Sequence, residues 1–268
     1  MSKTANTPTV TLWVSMLSLL LMAMLIGLCT GPANISLNNV AVALFPQWAG
    51  SLSSDFKPWM ETIVTEVRLP RMIIAALVGG TLALCGTVLQ GLFRNPLASP
   101  SILGVSSGAS LGAVIAIFLG LTAVSAWILP LFAFFGAGIT LFIVYSIANH
   151  GGHTQPSTLL LAGVAMSAFN VALSSFILAM ALQHWDVGKT IVYWSLGGIE
   201  GRTWSHVQLL APVALLGGAL LLGYHRDLDA LLLGEMHATS VGVDIEKTHR
   251  MVLLLTALLT GAAVAVAG

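Results

Sequence analysis

The feature that most constrains this chain is one stretch, residues 95–185, which holds no Asp, Glu, Lys or Arg over 91 residues. A helix that crosses the hydrocarbon core of a bilayer needs about 20 mostly apolar residues. The stretch is therefore long enough for three membrane-spanning helices and their turns. Only 7% of the whole chain is charged and 57% is hydrophobic, whereas soluble domains are about 25% charged. This composition excludes an ordinary soluble enzyme, a nucleic-acid-binding domain and a disordered chain.

Breaks in the apolar pattern divide the chain into about seven predicted spans. Gly120 with its polar neighbours, and the polar run Asn149–Ser157, separate three spans inside the uncharged stretch. We predict an all-α fold, a polytopic transmembrane helix bundle that forms a single domain over residues 1–268. Spans are expected over residues 11–30, 72–93, 102–119, 126–148, 157–182, 204–223 and 250–268, with a polar segment over residues 226–248.

The ends of the spans give two further indications. The last eight residues, Gly261–Gly268, include no charged or aromatic residue, although a spanning helix commonly ends in an interfacial anchor. We therefore expect a truncated polypeptide or a part of a longer one. Basic residues do not fix the orientation, because five of them fall on each side of the predicted topology.

Small residues recur at every fourth position in two predicted spans. Because lipid supplies no hydrophobic drive between helices, such rows favour close helix packing, with the lining of a translocation path as the alternative. The same two roles are open to the amides Gln90 and Asn170. The rows are Ala75, Gly79, Ala83, Thr87 and Gly91, and Gly104, Gly108, Gly112, Ala116 and Gly120.

The motifs that would carry chemistry are incomplete. Ser106 and Ser110 lie in G-x-S-x-G matches, but a hydrolase elbow needs a strand–turn–helix context. An intramembrane serine protease stays as an alternative. His150 and His153 lack a third metal ligand nearby, and residues 188–190 end like a P-loop whose first glycine is missing. We expect no catalytic residue, no metal site and no nucleotide site in this chain.

Two polar segments beside the spans are candidate docking sites. The segment Arg226–Arg250 mixes charged residues with apolar ones in short helical lengths, which fits helices that dock on another protein or lie on the lipid surface. Arg68 and Arg71 precede the second span, where they would anchor at headgroups or receive carboxylates from a docking protein. No predicted span has a charged residue at its centre, which argues against the other alternative, an ion-coupled secondary carrier.

Several ordered segments together resemble the FecCD type of permease subunit, found in ABC importers for ferric siderophores, haem and vitamin B12. The resemblance covers the chain from about residue 61 to its end. The segments that carry it are Arg68-Leu69-Pro70-Arg71, Gly79-Gly80 through Gln90, Asn95-Pro96-Leu97-Ala98-Ser99-Pro100, residues 103–109 (LGVSSGA), residues 159–165 (LLLAGVA), Trp194-Ser195-Leu196-Gly197-Gly198, and Leu233-Gly234-Glu235 with Ala238 and Val241-Gly242-Val243.

The resemblance implies a type II importer permease: a ten-helix subunit with a cytoplasmic N-terminus, used as a homodimer or pseudo-dimer in the bacterial inner membrane. Its implied partners are ABC ATPase subunits, a periplasmic or lipid-anchored substrate-binding protein, a second permease copy and membrane lipid, with no nucleic acid. ATP and Mg²⁺ would be held by the ATPase, so this chain would bind no cofactor and would be no enzyme. The implied cargo is an iron–siderophore complex, or haem or vitamin B12, moved by alternating access. An inactive truncated permease is the remaining alternative.

The resemblance also assigns site residues by position. It implies that Arg68 and Arg71 dock the substrate-binding protein. The residues implied in ATPase coupling are Leu233, Gly234, Glu235, Ala238, Val241 and Gly242. Those implied near the cytoplasmic gate or path are Asn95, Pro96, Leu97, Gln155, Ser157 and Thr158.

Overall fold

The computed structural model describes residues 7–48, 55–125, 127–150, 153–154 and 156–268. The predicted all-α class is confirmed, since almost every regular element in these ranges is a helix. The α-helices are α1 (Thr7–Cys29), α2 (Leu37–Leu44), α3 (Pro58–Thr62), α4 (Leu69–Phe93), α5 (Val105–Phe118), α6 (Ile128–Ala148), α7 (Pro156–Ala181), α8 (Trp185–Ser195), α9 (Trp204–Leu222), α10 (His225–Leu232), α11 (Glu235–Ser240) and α12 (Ile245–Ala267).

Short elements connect these helices. The segment Ile63–Arg68 is a π-helix that joins α3 to α4, and Pro46–Trp48 and Leu121–Ala123 are 3₁₀ turns. Two-residue strands, β1 (Asn149–His150) and β2 (His153–Thr154), pair antiparallel between α6 and α7. The polar loop expected after residue 148 thus begins as a small hairpin.

Six helical stretches of the described chain are long and apolar enough to cross a membrane. They are Val10–Cys29, Pro58–Phe93, Ile128–Ala148, Ser157–Ala181, Trp204–Leu222 and Ile245–Ala267. Helix α5, in the predicted span 102–119, has only 14 residues and reaches about 21 Å, against about 30 Å of hydrocarbon. Gly104, with φ +77°, stops α5 from extending backwards, because L-residues rarely adopt that backbone conformation.

The second span differs from its predicted start at residue 72, because the helical stretch already begins at Pro58. The prediction used charge to mark the edge of the membrane. The charged residues Glu61, Glu66, Arg68 and Arg71 instead lie on the helix itself. Charge placement therefore located the apolar part of this span and not the beginning of its helix.

One domain was predicted over residues 1–268, and the structure divides the chain into two compact units. The first unit comprises residues 1–75 and 200–207. Its described core joins the end of α1 to α2 and the π-helix through Leu28, Ile35, Val40, Ala43 and Val64. The indole Nε1 of Trp204 donates a 3.0 Å hydrogen bond to the backbone oxygen of Thr65. This bond supplies a partner for a carbonyl of the π-helix, where the regular α-helical bonding pattern changes.

The second unit, residues 76–199 and 208–268, is organised around α5, which packs against α6, α7 and α12. The approach of α5 to α6 is a contact between backbones. A Cβ on Gly112 would overlap the carbonyl oxygen of Phe132, and a Cβ on Gly136 would overlap that of Gly108. The predicted packing role of the Gly104–Gly120 row is confirmed at Gly108 and Gly112.

The other predicted row, on α4, is not packed among the described residues. A Cβ on Gly79 or Gly91 would meet no described heavy atom within 4 Å.

The amide side chains of Gln90 and Asn170 have different environments. Asn170 is 2% exposed, and its Nδ2 donates 3.1 Å hydrogen bonds to Ser107 Oγ and Thr140 Oγ1. The side chain of Asn170 thus links α7 to α5 and α6, whereas Gln90 is exposed.

The close approach of α5 and α6 predicts opposite effects for two glycine substitutions. Gly112→Ala forces a methyl group against the Phe132 carbonyl and should destabilise the fold by about 1–3 kcal/mol. Gly138→Ala on α6 is the matched control, because its Cβ meets nothing within 4 Å; it should leave stability unchanged or raise it by up to about 1 kcal/mol. Thermal unfolding of both variants in one detergent measures the difference. Equal unfolding midpoints would contradict the backbone contact.

Candidate functional site

The segment between α9 and α12 folds into two short helices, α10 and α11. Helix α10 turns Leu228 and Leu231 inward, and α11 turns Ala238 inward. Gly234 joins the two helices at φ +122°, and Gly242 follows α11 at φ +86°. Both backbone conformations favour glycine, which explains why glycine stands at these two positions.

Four apolar residues on or directly beside α10 and α11 are exposed, among charged and polar ones. Met236 is 90% exposed and Leu233 is 72% exposed, with Leu232 and Val241 also on the surface. Contiguous exposed apolar side chains typically mark a surface that another molecule covers. We call these four residues, Leu232, Leu233, Met236 and Val241, the α10–α11 patch.

The site residues expected in this segment divide into two groups. Leu233, Glu235, Val241 and Gly242 are exposed, and Gly234 is half-buried at the joint between the helices. Ala238 is fully buried and packs inside the segment, and its role in ATPase coupling stays a prediction. Met236, the most exposed apolar residue of the chain among those described, was not in the predicted set. The helical period would have separated Met236 from Ala238, because residues two apart lie on different sides of a helix.

Hydrogen bonds tie this segment to the first turn of α12. Thr248 Oγ1 donates to Asp227 Oδ2 of α10 at 3.3 Å. Asp244 caps α12 by accepting a 3.0 Å bond from the backbone nitrogen of Lys247. The buried ring of His249 lies within electrostatic range of Glu235 on α11 and of Arg94. A displacement of α10 and α11 would therefore act on the base of α12.

The predicted gate residues after α4 form a tight turn. Asn95 Oδ1 accepts a 2.9 Å bond from the backbone nitrogen of Leu97, the Asx-turn geometry that favours Asn. Pro96 and Leu97 are exposed. The preceding residue, Arg94, has φ +47°. Ala98, just after the turn, is buried in the same apolar cluster as Ala238 of α11 and Val252 of α12, so the turn adjoins the core that these helices share.

The other predicted gate residues surround the beginning of α7. Ser157 is exposed and Thr158 is half-buried, both in the first turn of the helix. Gln155 lies outside the described residues. Strand β2, just before them, contacts α12. Helix α12 is thus the element shared by the described parts of both predicted gate segments.

The two arginines before the second span have different environments. Arg68 is 7% exposed. Its Nη1 donates a 2.6 Å bond to the Leu28 backbone oxygen at the end of α1, and its Nη2 donates to the Ala33 oxygen. The guanidinium of Arg68 is thus engaged by backbone carbonyls, and its role in docking a binding protein stays a prediction. Arg71 is only half-buried, and it remains the candidate for docking.

Two other sets of candidate residues, the serines of the G-x-S-x-G matches and the possible metal ligands, do not form a site among the described residues. Ser106 and Ser110 both lie on α5, within one continuous helix rather than at a strand–turn–helix elbow. Among the described residues, no group of three or more His, Cys, Asp or Glu side chains is placed to hold a metal ion. Within the second unit, the α10–α11 segment and strand β2 before α7 thus both contact α12.

Six candidate membrane-spanning helices in the described chain are typical of a multi-pass membrane protein. The chain belongs to the FecCD transport family, whose model matches residues 19–268. The resemblance found in the ordered sequence segments is therefore confirmed.

Two relatives and one solved structure show how far the similarity extends. The chain is 43% identical over 229 residues to the cobalamin import system permease protein BtuC of Halobacterium salinarum, covering 84% of this chain and 60% of that protein. It is 36% identical over 248 residues to the Fe(3+) dicitrate transport system permease protein FecD of Escherichia coli, covering 92% and 76%. A metal-chelate type ABC transporter in an inward-facing conformation superposes with a TM-score of 0.80 at 28% identity, covering 97% of this chain and 76% of that one.

The environment of Arg68 predicts a structural effect that Arg71 does not share. Arg68→Gln removes a buried charged donor from two carbonyls and should destabilise the fold by about 2–4 kcal/mol. Arg71→Gln, the matched control three residues away, should change stability by less than about 1 kcal/mol. Thermal unfolding in detergent compares the two variants. A wild-type midpoint for Arg68→Gln would contradict the assignment.

Proposed function

We propose that this chain is the permease subunit of an ATP-driven importer and that the α10–α11 patch is its contact with a separate ABC ATPase. The observation that carries the proposal is the exposure of Leu233 and Met236 on short helices beside the spans. An apolar patch outside the membrane-crossing helices is costly in water. An ATPase bound to the patch would bury it and remove that cost. Movement of the ATPase would then displace α10 and α11.

The hydrogen bond at the start of α12 supports a path by which movement of the ATPase would reach the membrane-spanning helices. ATP binding would close the ATPases and displace α10 and α11. The Asp227–Thr248 bond joins α10 to α12. Ala98, just after the Asn95 turn, is buried in the same apolar cluster as Ala238 of α11 and Val252 of α12. The permease would then alternate between two states, each favoured by different contacts with its partners.

In this proposal the chain performs no covalent chemistry. ATP and Mg²⁺ would bind to the partner, while this chain gates the path with the Asn95–Leu97 turn and the residues at Gln155, Ser157 and Thr158. The segment 226–248 and the N-terminus would then lie in the cytoplasm of a bacterium, with the chain in the inner membrane. A second permease copy would complete the path.

The cargo we propose is a large organic metal chelate. The names of two relatives specify cobalamin and ferric dicitrate, and the solved relative is described as a metal-chelate transporter. An iron–siderophore complex, the cargo expected first, belongs to the same chemical class as these, and haem is a further member. A path without a charged residue at its centre suits a large cargo that must be released again.

The coupling proposal predicts the loss of the ATPase from the complex when the patch becomes charged. Leu233→Glu with Met236→Glu should abolish co-purification of the ATPase and ATP-dependent uptake, because both carboxylates would be desolvated at the contact. Val124→Glu is the control, since Val124 is equally exposed in the loop after α5. An intact complex with normal uptake would overturn the assignment. Uptake that an uncoupler stops, and that ATPase loss does not affect, would favour an ion-coupled carrier.

Docking of a substrate-binding protein is expected to depend on Arg71. Arg71→Glu should weaken docking at least tenfold at low salt, because a favourable charge pair becomes a repulsion. Lys57→Glu, an equal charge change at an exposed position of the same unit, should have a smaller effect. Surface plasmon resonance with the permease in nanodiscs measures the affinity. Equal losses for the two variants would point to a general electrostatic effect.

A further inference from the structure

Helix α12 is hydrogen-bonded to other elements at both of its ends. Near its beginning, Thr248 Oγ1 donates a 3.3 Å bond to Asp227 Oδ2 of α10. At its other end, the backbone nitrogen of Gly198, in the loop after α8, donates a 2.6 Å bond to the Ala267 carbonyl oxygen. Because a helix rises about 1.5 Å per residue, the 23 residues of α12 reach about 34 Å. Helix α12 is a candidate span, so the two bonds lie towards opposite surfaces of the membrane.

The loop after α8 meets the end of α12 through its backbone. Gly197 has φ +71° and Gly198 has φ +142°, and both conformations favour glycine. This backbone path directs the Gly198 N–H towards α12. A Cβ on Gly268 would lie only 2.9 Å from Gly197 Cα and from the Trp194 oxygen. The loop and the end of α12 therefore have little room to move independently.

Helix α8 holds this loop on the neighbouring spans and also reaches the surface. Its buried Ile191 packs with Val114 of α5 and with Ala181 at the end of α7. On the outward side, Tyr193 is 65% exposed, and Leu196, directly after the helix, is 76% exposed. A shift of the loop would therefore change the surface that these two side chains form.

Two helices connect the loop after α8 with α10, and α12 is the more rigid of them. It is the most buried of the candidate spans in the described chain, and it packs against α5 and α6. Helix α9 is less buried, and Pro212 in its interior removes one backbone hydrogen bond. No proline interrupts α12. Since a close-packed interior transmits strain, we expect α12 to transmit a displacement with less bending than α9.

We propose that α12 is a transmembrane link that couples the position of α10 and α11 at one surface to the loop after α8 at the other. A displacement at the Asp227–Thr248 bond moves α12, and the Gly198–Ala267 bond passes the movement to the loop. Such coupling requires a rigid element in contact with both sites. The link is a property of this chain. The source of the movement, an ATPase on the α10–α11 patch, rests on the proposed function.

Hydrogen–deuterium exchange of the purified full chain in one detergent tests the link without any partner. Thr248→Val removes the hydroxyl that donates to Asp227 and keeps the shape of the side chain. We expect the Gly198 amide to exchange about threefold faster in this variant, because α12 is held less firmly at its base. Thr239→Val is the matched control, since its hydroxyl bonds to the Glu235 oxygen of its own helix; it should leave Gly198 unchanged. An unchanged Gly198 amide in Thr248→Val would overturn the proposal.

A substitution at the other end tests the same link, because coupling between two sites is reciprocal. Gly198→Pro removes the N–H that binds Ala267 and should raise the exchange of residues 226–233 about threefold. Gly201→Pro is its matched control, at another glycine of positive φ whose Cβ meets nothing within 4 Å, and it should leave these residues unchanged. Equal rises for the two proline variants would show a general loss of folding and would contradict the link.

A last measurement separates the link from the proposed function. In the complex with its ATPase, ATP should change the exchange of residues 196–199 in the wild type, and Thr248→Val should remove this change while ATP hydrolysis continues. A change that persists in Thr248→Val overturns the link. Failure of the wild type to bind an ATPase would overturn the proposed function instead, and the two comparisons made without a partner would still decide the link.

Discussion

The close contact between the backbones of α5 and α6 is the constraint on which the second unit depends. In lipid, helices gain no hydrophobic free energy by associating, so they are held by van der Waals contact and by the few polar bonds between them. Gly108 and Gly136 permit that contact because neither has a Cβ. The Asn170 side chain then adds two hydrogen bonds, to α5 and to α6. A helix of only 14 residues is held in this way among longer neighbours.

The few charged residues act at the edges of this apolar fold, and their environments separate their roles. Arg68 is buried and fixes the end of α1 through backbone carbonyls, whereas Arg71 stays accessible. Asp227 links α10 to α12 and Asp244 caps α12 itself, while Arg250 lies at one end of an apolar groove between α6 and α12. The same residue type therefore serves the fold at one position and offers a contact at another. Burial and hydrogen-bond partners distinguish the two.

Helix α12 connects the candidate functional features of the second unit. It follows the α10–α11 patch in the chain, is bonded to α10 through Thr248, and lies beside the Asn95 turn. Its outer side forms the groove with α6. The proposed ATPase contact and the proposed gate thus share this helix, so we expect a change at one of them to affect the other through its position.

The class of the fold follows from the sequence, because long uncharged apolar runs satisfy their backbone hydrogen bonds in a membrane by forming helices. The sequence also located the apolar parts of the spans and, through ordered motifs, the family. Side-chain environments had to come from the tertiary structure. Arg68 and Arg71 have the same chemistry in the sequence, and Ala238 and Met236 lie two residues apart in one short helix. Which of each pair faces inward depends on neighbours far away in the chain, such as Leu28 and Ala33 for Arg68. Only the folded packing brings those neighbours close.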